Sequence, residues 1–288
     1  MPVRVWVEAA RPRTLPAAVV AVVVGTAAAE RFIAWRFLAA LAVGVSVQVG
    51  VNYANDYFDA VGGVDTAERV GPRRAVASGL VTGAQMWRAT LAAFGVAAVA
   101  GLLLAAAAGW ELVAVGAAAL AAALGYSGGP RPYASAGLGE LAVFVFFGLV
   151  ATAGSQYVQD ERLAAVAVTA AVPVGLLATA ILVANNLRDI HTDLVAGKAT
   201  LAVRLGDRRT RTLYTVVVGG ALALTVAVAV SAHSPWPLLA LGSAPLAVAV
   251  TRTVRTATEP LVLIDALVGT VRLHVAYGLL LAVGLWLT

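Results

Sequence analysis

No cysteine occurs in the sequence, which removes a disulfide framework, a thiolate nucleophile and any Cys-based zinc or iron–sulfur site. Histidine is nearly as scarce, and His191, His233 and His274 stand too far apart to suggest a metal cluster. Charge is also sparse. Of 288 residues, 12% are charged and 61% hydrophobic, and the mean hydropathy is +0.89. These values exclude an ordinary soluble domain and fit an all-α polytopic membrane protein embedded in the lipid bilayer. The isoelectric point near 10.0 does not imply nucleic acid, because the basic residues sit in short loops between apolar runs. The first apolar run follows Arg11-Pro-Arg-Thr without a small-residue cleavage site, so it is expected to be a retained helix rather than a signal peptide.

Nine apolar runs are candidate spans, near 15–31, 37–58, 87–108, 111–127, 138–158, 163–187, 213–232, 236–252 and 267–286, forming one domain over 1–288. All of the 20 basic residues except Arg31, Arg36 and Arg162 then fall on the side of the N-terminus. The positive-inside rule makes that side cytoplasmic and places the C-terminus outside.

Against this apolar background, the stretch from Asn52 to Gly79 is dense in acids and arginines. On a helix, Asn52, Asn55, Asp56 and Asp59 stand at i, i+3, i+4 and i+7, which makes one stripe. About 130 residues later Ala184-Asn185-Asn186-Leu187-Arg188-Asp189 repeats the order of Ala54-Asn55-Asp56-Tyr57-Phe58-Asp59, and Asp193 follows one turn on. The stripes close spans two and six, on the same side. A four-helix unit used twice, with a ninth helix appended, would bring them together across a pseudo-axis.

Asp56, Asp59, Asp65, Asp189 and Asp193 facing one another at the edge of a bilayer would repel strongly and need cations. Carboxylate and amide oxygens without imidazole or thiolate suit Mg²⁺, with Asn55 and Asn185 as the amide donors. Arg69, Arg73, Arg74, Arg188 and Lys198 are too numerous merely to neutralise the acids, and guanidinium forks match phosphate oxygens. Asn52 and Asn186 add amides to the same faces. An anion held by Mg²⁺ and arginines at the mouth of a membrane cavity suggests a diphosphate carrying a lipid tail, with the metal assisting its departure.

Asn55-Asp56-x-x-Asp59 with Asp65, and Asp189-x-x-x-Asp193-x-x-x-Gly197, resemble the two Asp-rich motifs of the UbiA superfamily of intramembrane aromatic prenyltransferases. Further stretches resemble the branch that acts on dihydroxynaphthoate: Ala10-Arg-Pro-Arg-Thr-Leu-Pro, Gly71-Pro-Arg-Arg-Ala-Val-Ala-Ser-Gly79, Tyr126-Ser-Gly-Gly-Pro130, Gly137-Leu-Gly-Glu140 and Gly197-Lys-Ala-Thr200. The likeness covers roughly residues 6–206. It implies that Asn55, Asp59, Asp65, Asp189 and Asp193 hold Mg²⁺ with Asp56 close by, and that Arg69, Arg74 and Lys198 bind a polyprenyl diphosphate. The gap between Asp59 and Asp65 is longer than the family's usual spacing. Relatives using benzoate acceptors carry a Tyr and a Lys after helix four, where Tyr126 and Arg131 stand here. The implied reaction is ionisation to an allylic cation, attack by dihydroxynaphthoate at the carbon bearing the carboxylate, then loss of CO₂ and a proton to give demethylmenaquinol for menaquinone synthesis. The implied location is a bacterial cell membrane with the site loops in the cytoplasm.

Tyr53, Tyr57, Phe144, Phe147 and Tyr157 are candidate shields for the cation, or ordinary packing. Glu140 reads either as a favourable acid in a first helical turn or as a site residue. Arg11 reads as an anchor at the headgroups or a partner for the acceptor's carboxylate. His191 points off its stripe. Asp265, Arg272 and His274 enter the ninth helix, where ionisable residues are rarely idle. Another aromatic acceptor with the same chemistry is the competing enzyme reading, and a secondary transporter is the competing class; acids at helix ends rather than at midplane disfavour the transporter.

Overall fold

Apolar runs ending at polar or glycine-containing turns wind into helices throughout, and no strand occurs among the described residues. The computed structural model describes residues 3–63, 74–130 and 132–288. In chain order the helices are α1 (Val3–Ala9), α2 (Pro16–Ala27), α3 (Ala34–Val61), α4 (Gly83–Ala108), α5 (Glu111–Ser127), α6 (Gly139–Asp160), α7 (Ala165–Arg188), α8 (Ile190–Val195), α9 (Leu201–Ser231), α10 (Trp236–Thr256) and α11 (Pro260–Trp286).

Seven of these, α3, α4, α6, α7, α9, α10 and α11, are long and apolar enough to cross a membrane; α2 and α5 are shorter apolar helices. The expected first span, 15–31, is therefore longer than the helix that forms. Pro16 opens α2, and the helix stops at Ala27. Its 12 residues reach about 18 Å against a hydrocarbon core of about 30 Å. Beyond it, the N–H groups of Glu30 and Arg31 donate to the Asp160 carboxylate at 3.0 and 3.1 Å, and that of Ile33 to Gln159 Oε1 at 2.7 Å. These bonds satisfy backbone that a continuing helix would have satisfied itself. The other expected spans fall on helices, some longer than the apolar run: α9 begins at Leu201 with a polar lead that kinks at Gly206, and α11 begins at Pro260.

Arg36 is buried in the same corner, donating to the carbonyls of Val158 and Ala107, both at 2.9 Å, and to Glu161 at 2.8 Å. Arg162 pairs with Glu30. The three basic residues set apart in the sequence thus tie the α2–α3 link to the ends of α4 and α6.

α2, α7, α9, α10 and α11 share the largest apolar cluster, which includes Val24, Leu177, Tyr214, Leu273 and Leu281. Hydrogen bonds cross it at Tyr214–Thr270, 2.7 Å, and Thr225–Tyr277, 2.9 Å, which leaves those hydroxyls satisfied within an apolar interior. Phe144–Ala153 of α6 is wound as a π-helix and packs between α2 and α7. Backbones nearly touch there: a Cβ on Gly148 would lie 2.6 Å from Gly175 Cα, and one on Gly25 would lie 2.0 Å from the Thr152 carbonyl oxygen. The α3 and α7 C-termini, the α5 C-terminus and the turn before α2 all end around one cavity.

Candidate functional site

The cavity has a volume of about 640 Å³ and is lined by the polar groups of both stripes and by Ala, Val, Ile and Phe side chains. α3 supplies the first acidic stripe. Asn52, Asn55 and Asp59 line the cavity, and Asn52 is fixed by donating to the Ala10 carbonyl at 2.8 Å. Asp59, 4% exposed, accepts from Arg74 Nη2 at 2.5 Å and from Lys198 Nζ at 2.8 Å. The same Arg74 nitrogen reaches Asn55 Oδ1 at 3.1 Å. Asp56 points the other way, accepting from the N–H groups of Ala75 and Val76 at 2.9 and 3.0 Å, so it holds the segment that presents Arg74.

α7 and α8 supply the second stripe. Asn185, Asn186, Asp189, Asp193 and Lys198 border the same cavity. Arg188 clamps Asp189 with two bonds of 2.7 and 2.6 Å and donates to Asn185 Oδ1 at 3.0 Å. Asp193 accepts from Thr200 at 3.5 Å, and its carbonyl accepts the Lys198 N–H at 2.8 Å. The bond from Lys198 to Asp59 joins two motifs 139 residues apart.

Two acidic sets thus meet around one cavity, with Arg74 and Lys198 on Asp59 and Arg188 on Asp189, so a charged ligand would exchange partners rather than enter a field of bare carboxylates. Among the described residues no three carboxylate or imidazole groups converge to enclose a metal by themselves. The donors fit Mg²⁺ in another manner. They are oxygens only, spread around an open cavity, and Mg²⁺ takes one or two carboxylates while keeping positions for phosphate and water.

Tyr126 lines the cavity, packed edge-on to Tyr133 at 5.6 Å. Tyr133 donates to the Ala122 carbonyl at 2.7 Å, and burial pushes its hydroxyl up to about 12, so it stays a neutral donor. Arg11 lines the cavity from a backbone with φ of 53°, a strained conformation of the kind held at functional sites. Glu140 is buried and accepts from Asn186 Nδ2 at 2.9 Å. Of the expected aromatic shields, Phe147 lines the cavity. Tyr53 instead donates to the Trp6 carbonyl, Tyr57 packs on Phe58 and Trp87, and Tyr157 bonds Glu111. His191 is exposed and His274 is buried within α11. Asp65, Arg69, Arg73 and Arg131 lie outside the described residues.

Sequence reasoning missed Thr14, Gln48, Phe58, Phe146 and Tyr133 in the wall. Gln48 carried a usable signal, since it extends the first stripe one turn deeper, at Asn52 minus four, as a polar residue inside an apolar run.

A model of the UbiA prenyltransferase family matches residues 15–261. The chain is 47% identical over 254 residues to a 1,4-dihydroxy-2-naphthoate octaprenyltransferase of Mycobacterium tuberculosis, covering 87% of this chain and 86% of the relative. It is 38% identical to the protein of the same name from Escherichia coli, over 98% of this chain and 95% of that one. Among solved structures, a UbiA homolog from Archaeoglobus fulgidus bound to GPP and Mg²⁺ superposes with a TM-score of 0.65 at 15% identity, covering 97% of this chain and 100% of that one. The apo structure of a UbiA homolog from Aeropyrum pernix K1 gives 0.69 at 17% identity, over 93% and 96%. At those identities the structural likeness concerns the fold.

Proposed function

The chain belongs to the UbiA prenyltransferase family, and from that premise we propose that it transfers a polyprenyl group from polyprenyl diphosphate to 1,4-dihydroxy-2-naphthoate, releasing diphosphate and CO₂ and giving demethylmenaquinol for menaquinone synthesis. The protein is an enzyme with several membrane-spanning helices. The observation that carries the reading is the convergence of Asp59, Arg74, Asp189 and Lys198 on one cavity that apolar side chains also line, together with the dihydroxynaphthoate relatives at 47% and 38% identity.

Asn55, Asp59, Asp65, Asn185, Asp189 and Asp193 are the oxygens that would hold Mg²⁺, which when bound neutralises charge developing on the departing diphosphate. Arg74 and Lys198, now on Asp59, turn to the diphosphate oxygens, with Arg69 and Arg73, close to Arg74 in sequence, as further cations. Arg188 keeps Asp189 and Asn185 oriented, and Asp56 acts as a positioning residue through the Ala75–Val76 backbone. Phe58, Phe146 and Phe147 exclude water from the allylic cation and face it with π-electrons. Arg11 receives the acceptor's carboxylate, with Tyr126, Asn52, Asn186 and Arg131 around the ring. The acceptor carbon bearing the carboxylate forms the new C–C bond. Departure of CO₂ returns its bonding pair to the ring, so for an ionised carboxylate the only proton lost is the one the acid had already given up.

In this reading α2 and α5 complete a nine-span bundle, both motifs face the cytoplasm of a bacterial cell, and the C-terminus lies outside. The two four-helix halves are α2–α5 and α6–α10, with α11 as the ninth span.

The test is a membrane assay with Mg²⁺, a polyprenyl diphosphate and either dihydroxynaphthoate or 4-hydroxybenzoate, with Asp59→Asn beside the wild type. Product from the naphthoate alone, with CO₂ released and activity lost in the variant, is expected. Transfer to the benzoate would overturn the acceptor, and no transfer to either ring would overturn the proposed reaction.

A further inference from the structure

A second cavity, of about 620 Å³, opens at the end of the bundle where the acidic motifs lie, between the first turns of α9 and the link from α10 to α11. Its wall contains Arg208, Arg211, Thr212, Thr215 and Arg255, with one carboxylate, Asp207, which is held by Arg211. None of these borders the prenyl-transfer cavity.

The three arginines are not equivalent. Arg211 is anchored, bonded through Nε and Nη2 to Asp207 at 2.6 and 2.8 Å and through Nη1 to the Val254 carbonyl, which joins α9 to α10. The side chains of Arg208 and Arg255 form no hydrogen bond or ion pair among the described residues. Two uncompensated guanidinium forks therefore face one groove, the arrangement that suits a phosphate group. The hydroxyls restrict the choice further. Thr212 and Thr215 give their protons to carbonyls one turn back, of Arg208 and Arg211, so they present acceptor oxygens. A ligand satisfying both sets combines a phosphate anion with hydroxyl donors. At its apolar edge the groove meets Val216, 64% exposed, and the exposed face of α9 continues to Leu224 at 39%. That strip runs towards the hydrocarbon, where an acyl chain lies.

We infer that the groove between Arg208 on α9 and Arg255 on α10 is a binding site for an anionic glycerophospholipid, its phosphodiester on the two arginines and its headgroup hydroxyls on Thr212 and Thr215. A free phosphate or diphosphate shares the anion but neither the hydroxyls nor the chain.

Native mass spectrometry on the detergent-solubilised full chain, titrated with phosphatidylglycerol, phosphatidylcholine or inorganic diphosphate, tests this. The wild type retains phosphatidylglycerol in preference to phosphatidylcholine. Removing both charges with Arg208→Gln and Arg255→Gln weakens phosphatidylglycerol about 10- to 30-fold, from roughly one interfacial charge contribution per arginine. The double change to Lys retains most of the binding, and Arg88→Gln on α4 leaves it unaltered. Equal retention of the two lipids, or an equal loss in the Arg88 variant, would mean diffuse interfacial charge and overturn the site. Diphosphate competing at the affinity of the lipid would overturn the lipid as ligand. The thermal midpoint of each variant, matched to the wild type, separates lost binding from lost fold.

Discussion

Asp56 and Asp59 stand less than one turn apart on α3 and are both nearly inaccessible, yet their partners assign them different tasks. Asp56→Ala leaves two backbone N–H groups of the Arg74 segment without their acceptor. The expected result is a stability loss of about 2–4 kcal/mol and a raised KM for the diphosphate, read by thermal melting and by kinetics. Asp59→Asn is expected to reduce kcat, with a smaller effect on melting than Asp56→Ala. A Lys198→Ala variant strands part of the Asp59 charge but spares Arg74. It is expected to raise KM for the diphosphate about tenfold, for one lost charge-assisted bond, and Lys198→Arg should recover part of that. For Arg11→Gln the rise in KM is expected for the aromatic acceptor. If KM for the diphosphate moved instead, Arg11 would belong with the phosphate cations. At this scale the two stripes were legible because helical spacing alone aligns Asn52, Asn55, Asp56 and Asp59. The Lys198–Asp59 bond was not, since nothing local couples residues so distant, and neither was the inward turn of Asp56.

Element by element, the π-helical stretch of α6 has the tightest surroundings, with Gly25 of α2 on one side and Gly175 of α7 on the other. Backbone cannot swing aside as a side chain does, so Gly148→Val is expected to cost about 3 kcal/mol or more, the upper end for overpacking. Gly116→Ala on α5 meets nothing within 4 Å and should be neutral or stabilising by about 0.5–1 kcal/mol. Melting of the pair separates close approach from helix propensity. Apolar runs located almost every helix because burial in a bilayer and burial in a bundle both select Ala, Val and Leu. They overextended α2 because Ala28 and Ala29 are as apolar as the helix before them, while its end is dictated by bonds to Asp160 and Gln159, which lie about 130 residues away. No pattern announced the π turn, which packs against Gly25 of α2 and Gly175 of α7.

The whole molecule offers a direct test of sidedness, because a chain without cysteine needs no background removed before single cysteines are introduced. Ser234→Cys, in the α9–α10 link, should react with an impermeant maleimide in intact right-side-out cells; Thr258→Cys, in the α10–α11 link, should react only after permeabilisation. The reverse pattern would invert the orientation, and labelling of both from one side would remove α10 as a span. Chelation by EDTA is expected to abolish transfer, and added Mg²⁺ to restore it, measured as product formed in washed membranes.

A chamber of about 640 Å³ is the size of a pocket for one modest organic molecule, and on the proposed function it would admit a two-ring acceptor together with the reactive end of an isoprenoid. On the proposed function, a tail of many isoprene units exceeds that volume and is expected to extend beyond it into the surrounding lipid. On that reading the protein is expected not to measure the donor's length. Donors of different length offered together should yield products in proportion to their supply, so the side chain of the quinone pool reports on the synthase that makes the donor.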